Sequence, residues 1–580
     1  MSHRDEGVTF DLVPDDDSED EVALDPPGGG APRGPGIVRR AGRAVRAFLA
    51  RQPPRRLVAA GVAVAVVAGS SVGISTAVGR TRAAAAERDR VTALLASPGG
   101  VRDLSAPLTA AWTVPLTGDL MGRLPGTLVV QDGADAVGLR VEDGSEAWRH
   151  ELGGDLVCGP QLLPGERAPT PKQLVCLAGP REARRVTVLD AAGAVAAQRD
   201  LGDTRDQQLT PGPDGSLVVV RRTGEAPDIP KLVGEDALTT LFPDGLTAGQ
   251  GADLTVTDAA TGAVRWAASI PFVPVTQVQS CGLSFDLDGG YHLLLDVAVE
   301  ASQTAVQVEG CGVYGAYLPD GVSLPPAPPG DGQPYRQTEP DGGFAIDGGG
   351  ASSLWVDGQG RQEFVSAAHP VSIAATDGLS EDTLVRTDDG FLAALGPDGT
   401  PRWVMDHGTG APADLPWVVA RAGGVYLTLA ADQTTLAAVS EKSGKVLWRS
   451  DLPVVAQGWV AAGVTDGRTT VLAVSVRSSD GPTAHVADAE GAVQLVGVDL
   501  RTGATWTVER AGTSVQLLAV EGSVVEYATA NFRQLRDVDS GETATYRDGT
   551  LSLLVPDHGP DAGAQAASGW LAAPARVPRG

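Results

Sequence analysis

With 580 residues and a formal net charge of −27, the chain is long enough for one large repeat domain with accessories, and too acidic to blanket a phosphate backbone. Residues 91–580 hold 32 basic against 60 acidic side chains, which excludes nucleic acid as a broad partner of the folded part. The 74 glycines and 41 prolines interrupt short Val/Leu-rich runs beyond residue 100, so long helices do not alternate with strands and many short strands joined by tight turns are expected.

Residues 1–56 begin with ten carboxylates between residues 5 and 25 and continue with eight arginines between Arg33 and Arg56. Rich in Pro and Gly and poor in apolar groups, this stretch cannot repay its ordering entropy and is expected to be a disordered cytoplasmic tail. Residues 57–79, LVAAGVAVAVVAGSSVGISTAVG, carry no charge over 23 positions, enough at 1.5 Å per residue to span a bilayer core of roughly 30 Å. Arg51, Arg55 and Arg56 abut the first end of this run. The positive-inside rule therefore leaves the N-terminus in the cytoplasm and exports everything after residue 80. About fifty residues precede the apolar run, unlike a cleaved signal peptide. A single-pass anchor contacting lipid through residues 57–79 is the expectation. Residues 80–107 read as a short juxtamembrane helix ending at Pro98-Gly99-Gly100, then a linker.

From there the sequence repeats itself. Leu254 to Trp266 (LTVTDAATGAVRW) is echoed by Leu436 to Trp448 (LAAVSEKSGKVLW), with weaker copies at 137–148, 395–403 and 496–506 and degenerate ones at 186–198, 356–364 and 535–546. Gly144, Gly262, Gly399 and Gly444 each precede a tryptophan (Trp148, Trp266, Trp403, Trp448) by four positions. A glycine at positive φ closes a hairpin, an Asp or Thr bonds its own turn, and the aromatic on the next strand fills the wedge between sheets. The turn glycines 144, 193, 262, 360, 399, 444, 503 and 541 include intervals of 38, 39 and 45 residues, the length of one four-stranded propeller blade. An all-β propeller of about eight blades over residues 108–556 is expected. Seven is the alternative if the copies near residues 193 or 360 are insertions. Residues 108–117, LTAAWTVPLT, resemble the strand that follows each turn glycine. They are expected to pair with the blade of residues 513–555, with Trp112 in a wedge. Residues 557–580 are then a C-terminal tail.

The string DAATGAVRW at 258–266 resembles the pyrroloquinoline-quinone-like propeller repeat of roughly A-x-D-x-x-T-G-x-x-x-W, and residues 441–448 match it in part. The resemblance implies the fold over roughly residues 108–550. It also implies a bacterial family of mixed roles: quinone-dependent alcohol and sugar dehydrogenases, a scaffold lipoprotein of outer-membrane barrel assembly, and membrane-anchored proteins without assigned activity. The dehydrogenases of that family use an adjacent Cys-Cys disulfide and a calcium-binding carboxylate/amide set. Here Cys158, Cys176, Cys281 and Cys311 are never adjacent, and Asn531 is the sole asparagine.

Other chemistry is equally thin. No HExxH, Walker A or CxxC motif occurs, the seven histidines are dispersed, and Asp286-Leu287-Asp288-Gly289-Gly290 lacks the glutamate that closes a calcium loop. Four cysteines on the exported side allow three pairings, of which proximity favours Cys158–Cys176 and Cys281–Cys311. The expectation is a non-catalytic extracytoplasmic propeller, without cofactor or metal, binding a protein or cell-envelope ligand. A quinone-dependent oxidoreductase is the alternative.

Overall fold

The computed structural model describes residues 85–558, apart from 406–416, 477–491, 537–542, parts of 162–168, 228–241, 277–295, 329–351 and 381–388, and positions 455, 512 and 513. The expected tail (1–56), membrane span (57–79) and C-terminal tail beyond residue 558 lie outside the described residues. No helix among those described is long and apolar enough to cross a membrane.

Nine antiparallel sheets form the blades, at residues 120–151, 157–202, 208–270, 298–317, 335–366, 368–404, 417–451, 456–511 and 514–556. A small tenth sheet (Leu232–Val233, Gly290–Leu293, Leu283–Phe285) is built from the two insertions of blade 3. The expectation of eight blades, or seven, is therefore corrected to nine. Each blade buries both faces against its neighbours, and among the described residues the buried apolar side chains fall into nine clusters, one per pair of adjacent blades. Nine stacked blades have only eight interfaces unless the ring closes. The closing cluster joins Val520, Val525, Tyr527, Leu551 and Leu553 of blade 9 to Leu128, Val130, Val137 and Leu139 of blade 1.

Closure uses the first strand of the chain. Leu108–Leu116 pairs antiparallel with Thr543–Pro556, in register from Leu108↔Pro556 to Leu116↔Gly549, and becomes the outer strand of blade 9. Trp112 leaves that strand to reach blade 1, where its Nε1–H donates to Val141 O at 3.0 Å.

The same device recurs around the ring. Trp266, Trp403 and Trp448 lie on the outer strands of blades 3, 6 and 7 and donate Nε1–H to Pro319 O (3.0 Å), Glu441 O (2.6 Å) and Leu500 O (2.9 Å) of the following blade. Each indole covers the turn glycine of that next blade. A Cβ on Gly144, Gly193, Gly321, Gly444 or Gly503 would lie within 3.0 Å of Trp112, Trp148, Trp266, Trp403 or Trp448 respectively. The repeat's glycine and tryptophan thus meet across a blade boundary, not within one hairpin.

The turns are built by their own side chains. Asp258 Oδ1 accepts from Thr261 N and Oγ1, both at 2.9 Å, beside Gly262 at φ +77°. Asp499 and Thr502 repeat this beside Gly503. The Arg265 guanidinium, at 2.9 Å, together with Thr261 holds the Asp258 carboxyl down at about 2. A carboxyl depressed on folding contributes stability above its unfolded value near about 4 and loses it as pH falls through the folded one. Carbon NMR of Asp258 is therefore expected to titrate near about 2; a midpoint near about 4 would show this turn to be open in solution.

The uncounted blade is blade 4, with three strands: Ala298–Ala301, Val306–Gly310 and Val313–Tyr317. Its turn glycine is Gly321, and only the bridge Tyr317↔Ser323 begins an outer strand. Pro325, Pro326, Pro328 and Pro329 follow, and residues without N–H cannot continue a ladder. With no fourth strand among the described residues and no tryptophan between Trp266 and Trp355, the unit left no copy in the sequence. Gly193 and Gly360 are turns of genuine blades.

Residues 80–107 also depart from expectation. Helix 85–96 ends as read, but the segment after it is no linker: Leu94, Val101 and Leu104 are at most 1% exposed. Thr376 N donates to Pro98 O, Thr465 N to Gly99 O, Val101 N to Thr465 O and Arg102 N to Gly522 O. The segment is stitched across blades 6, 8 and 9 at the end where first and second strands turn.

Candidate functional site

The innermost strands of a propeller line its central channel, and here they are buried unevenly along their length. Val157, Tyr335 and Trp417, the first residues of the inner strands of blades 2, 5 and 7, are 48%, 43% and 57% exposed. The same strands sink as they proceed: Val418 to Ala422 are all buried, and blade 4 runs from exposed Ala298 to buried Ala301. In blades 2, 4, 5 and 7 the channel wall is exposed where the inner strand begins and under more cover where it ends.

Two chords of chain provide that cover. One is the segment 97–104 just described. The other is the connection between the first two strands of blade 2, which passes blade 3 to reach blade 4. Gln161 N donates to Ala301 O at 3.0 Å, and the Glu166 carboxylate accepts from Ser302 Oγ, Thr304 Oγ1 and, at 3.2 Å, Thr304 N. Arg123 of blade 1 is desolvated nearby. Burial lowers its pKa while Glu166 and Glu521 oppose that fall. The base of this chord is pinned by the disulfide Cys158–Cys176, whose residues face each other across the two strands. The second disulfide, Cys281–Cys311, ties the insertion after blade 3 to the turn between the second and third strands of blade 4.

At the open mouth a buried carboxylate organises the wall of blades 5 and 6. Asp347, with 2% of its side chain exposed, accepts from Gly349 N at 2.7 Å, Ser353 Oγ at 3.2 Å, Tyr335 OH at 3.3 Å and His369 Nδ1 at 2.7 Å. Four donors satisfy the carboxylate, so it acts as a bracket for the ring of Tyr335 and fixes the Nδ1–H tautomer of His369. Burial first, and the Asp347 charge second, push the Tyr335 hydroxyl up to about 12. Ser353 donates to the same oxygen as His369, not to its ring, so a nucleophile–histidine relay is not assembled.

One layer deeper, the side chain of Arg336 is 1% exposed. It donates to Gln307 Oε1 (3.1 Å) and Thr338 Oγ1 (3.0 Å), approaches Glu300 Oε1 at 3.4 Å and lies 5.1 Å over the Phe344 ring. Burial lowers the Arg336 pKa against the pull of Glu300, and burial raises that of Glu300. The Tyr314 hydroxyl beside them is also pushed up by burial and has no hydrogen-bond partner among the described residues.

A pyrroloquinoline quinone, with three carboxylates, does not fit this lining. Among the described residues the one cation deep in the blade 4–5 wall, Arg336, is already engaged by Gln307, Thr338 and Glu300, and Glu300 and Glu166 would oppose an anionic guest. Both disulfides join residues distant in sequence, and no cluster of three His, Cys, Asp or Glu that could hold a metal occurs among the described residues.

The sequence-derived residues fall elsewhere. Trp112, Trp148, Trp266, Trp403 and Trp448 all sit on outer strands at blade boundaries, away from the channel. Tyr335, Asp347, His369 and Trp417 were missed because no motif surrounds them. A faint signal exists: Pro334-Tyr335 and Pro416-Trp417 lie 25 and 27 positions before the turn glycines Gly360 and Gly444. Prolines starting a strand with an exposed aromatic next mark the mouth of a blade.

No protein-family model matches the chain, and comparison with curated proteins returns no sequence match. Among solved structures it is similar to the quinohemoprotein alcohol dehydrogenase from Comamonas testosteroni, with 12% identity over 77% of this chain and 76% of that one and a TM-score of 0.33. It is also similar to BamB from Moraxella catarrhalis (12% identity, 70% and 98% covered, TM-score 0.22) and to the dihydro-heme d1 dehydrogenase NirN (13%, 71% and 79%, TM-score 0.28). The repeat turns, the boundary-crossing indoles and the closed ring make this chain a nine-bladed β-propeller.

Proposed function

We propose that the chain is a membrane-anchored, extracytoplasmic propeller that binds a protein or cell-envelope ligand at the open channel mouth and catalyses no reaction. One observation carries this reading: Tyr335 and Trp417 stand exposed at the mouth of a channel whose far end is covered, with the Tyr335 ring bracketed by Asp347. Exposed, rigidly held aromatics are the anchors of binding surfaces. The long connections at 224–250 and 271–297 leave blade 3 on the same face, where binding loops on a rigid scaffold belong. Two disulfides suit an oxidising compartment, and the uncharged run 57–79 supplies the anchor.

The test is cross-linking in intact membranes followed by purification of wild type and of the double variant Tyr335→Ala/Trp417→Ala. A species captured by wild type is expected to be lost from the variant, with the melting temperature unchanged. Equal capture by both would place the ligand elsewhere. Saturable dye reduction on adding the quinone with Ca²⁺ would instead establish the oxidoreductase alternative. Protease added outside intact cells is expected to shave the propeller and spare residues 1–56.

A further inference from the structure

The middle strands of blade 9, Ser523–Arg536 and Thr543–Pro556, are 14 residues each, while their flanking strands Ser514–Val520 and Leu108–Leu116 have 7 and 9. Flanking pairing stops at Ser514↔Thr529 and Leu116↔Gly549. Beyond a register shift between Thr529 and Asn531, the residues Asn531–Arg536 pair with Thr543–Asp548 and, among the described strands, with nothing else. Six residues at about 3.3 Å each carry this ribbon about 20 Å past the last four-stranded rung. A two-stranded ribbon is marginal in water, and its edges present unpaired N–H and C=O groups. The chain treats its other incomplete edge differently. After Val313–Tyr317 the sequence runs into Pro325, Pro326, Pro328 and Pro329, whereas neither ribbon strand contains a proline.

We infer that this ribbon is a dimerisation arm. Asn531–Arg536 of one copy pairs antiparallel, about a two-fold axis, with the same strand of a second copy to complete a four-stranded sheet. An antiparallel edge is complementary to itself under a two-fold, so the contact closes at two copies. With the axis at Gln534, Arg536 stands opposite Phe532 and Arg533 opposite Leu535, so neither arginine faces its own copy. Charge selects the arm as the point of contact. The exported part carries 60 acidic against 32 basic side chains, and two such bodies repel at close approach. The strand Asn531–Arg536 has two arginines and no carboxylate, and a reach of about 20 Å exceeds the screening length of about 8 Å at physiological salt.

All four cysteines are disulfide-bonded, so an introduced thiol is the sole free one. Cysteine is placed in turn at Arg533, Gln534 and Leu535 in the full chain, with Thr545→Cys on the other ribbon strand as control. Residues facing each other in an antiparallel pair lie about 4.5–5.5 Å apart, within disulfide reach. Mild oxidation is expected to give, for at least one of the three, a band at twice the 59.3 kDa chain mass on non-reducing electrophoresis, and none for Thr545→Cys. Replacing residues 531–548 by an Asn-Gly turn is expected to leave a monomer in sedimentation with an unchanged melting temperature. Three overturning results are open: no doubled band at any of the three positions, equal bands at Thr545, or a dimer that survives loss of the ribbon. A cross-linked species of another mass would assign the edge to a different polypeptide and overturn the pairing of copies.

Discussion

A chain that begins at residue 119 is expected to lose the closed ring, and one that begins at residue 107 to melt far below one that begins at residue 86. Residues 94–104 bury Leu94, Val101 and Leu104 to 1% exposure or less against the blades. At about 1.5–3 kcal/mol for each fully buried aliphatic side chain, their loss removes roughly 5–9 kcal/mol. A typical domain has only about 5–15 kcal/mol in total, so the 107 start leaves a ring close to the edge of stability. The hydrogen bond from Leu104 N to Asp466 Oδ2, at 2.9 Å, goes with it, leaving this 8%-exposed carboxylate with only the Arg468 N and Thr469 N bonds to Oδ1 among the described residues. The 119 start adds a second loss. It strips Leu108–Leu116 from Thr543–Pro556, baring an apolar strand edge that templates aggregation. Thermal melts and sedimentation of the three chains decide it. Equal melting for the 86 and 107 starts would show the segment to be a bystander.

How far the sequence revealed this molecule depended on whether a residue's role was periodic. Turn chemistry was legible because Asp258, Thr261 and Gly262 recur as Asp499, Thr502 and Gly503, and a repeated backbone demand leaves repeated residue types. Closure by residues 108–117 was legible for the same reason, since Trp112 copies the outer-strand pattern. Blade 4 was illegible because Pro325 to Pro329 replace the strand that would carry its tryptophan. The burial of residues 97–104 left no pattern either. Its partners Thr376, Thr465 and Gly522 lie hundreds of positions away and are bonded through backbone atoms, which carry no side-chain signature. The mouth was hidden by the same principle. Asp347, His369 and Tyr335 come from two blades and converge once, so nothing in the chain repeats them.

The boundary-crossing indole predicts a measurable coupling between two blades. A Cβ on Gly444 would sit 2.5 Å from Trp403 Cε3, on a backbone at φ +67°. Gly444→Ala therefore carries two penalties: about 1–2 kcal/mol for the left-handed conformation and about 1–3 kcal/mol for overpacking. Trp403→Ala is expected to cost about 3 kcal/mol, the low end for an aromatic truncation, because the ring is only partly buried. Part of that is the bond from Nε1 to Glu441 O. Once the indole is gone, the overpacking penalty at Gly444 vanishes and only the conformational one remains. The double variant should then be more stable than the sum of the single losses by at least about 1 kcal/mol, the size of coupling that contacting residues show in double-mutant cycles. Gly424 provides the control: it has φ +77°, and a Cβ added there would meet nothing within 4 Å. Gly424→Ala should pay the conformational cost alone and add to Trp403→Ala without coupling. Denaturant unfolding of the six chains measures both cycles. Simple additivity at Gly444 would mean that the indole of blade 6 does not rest on the turn of blade 7, and the wedge account of the whole ring would fail with it.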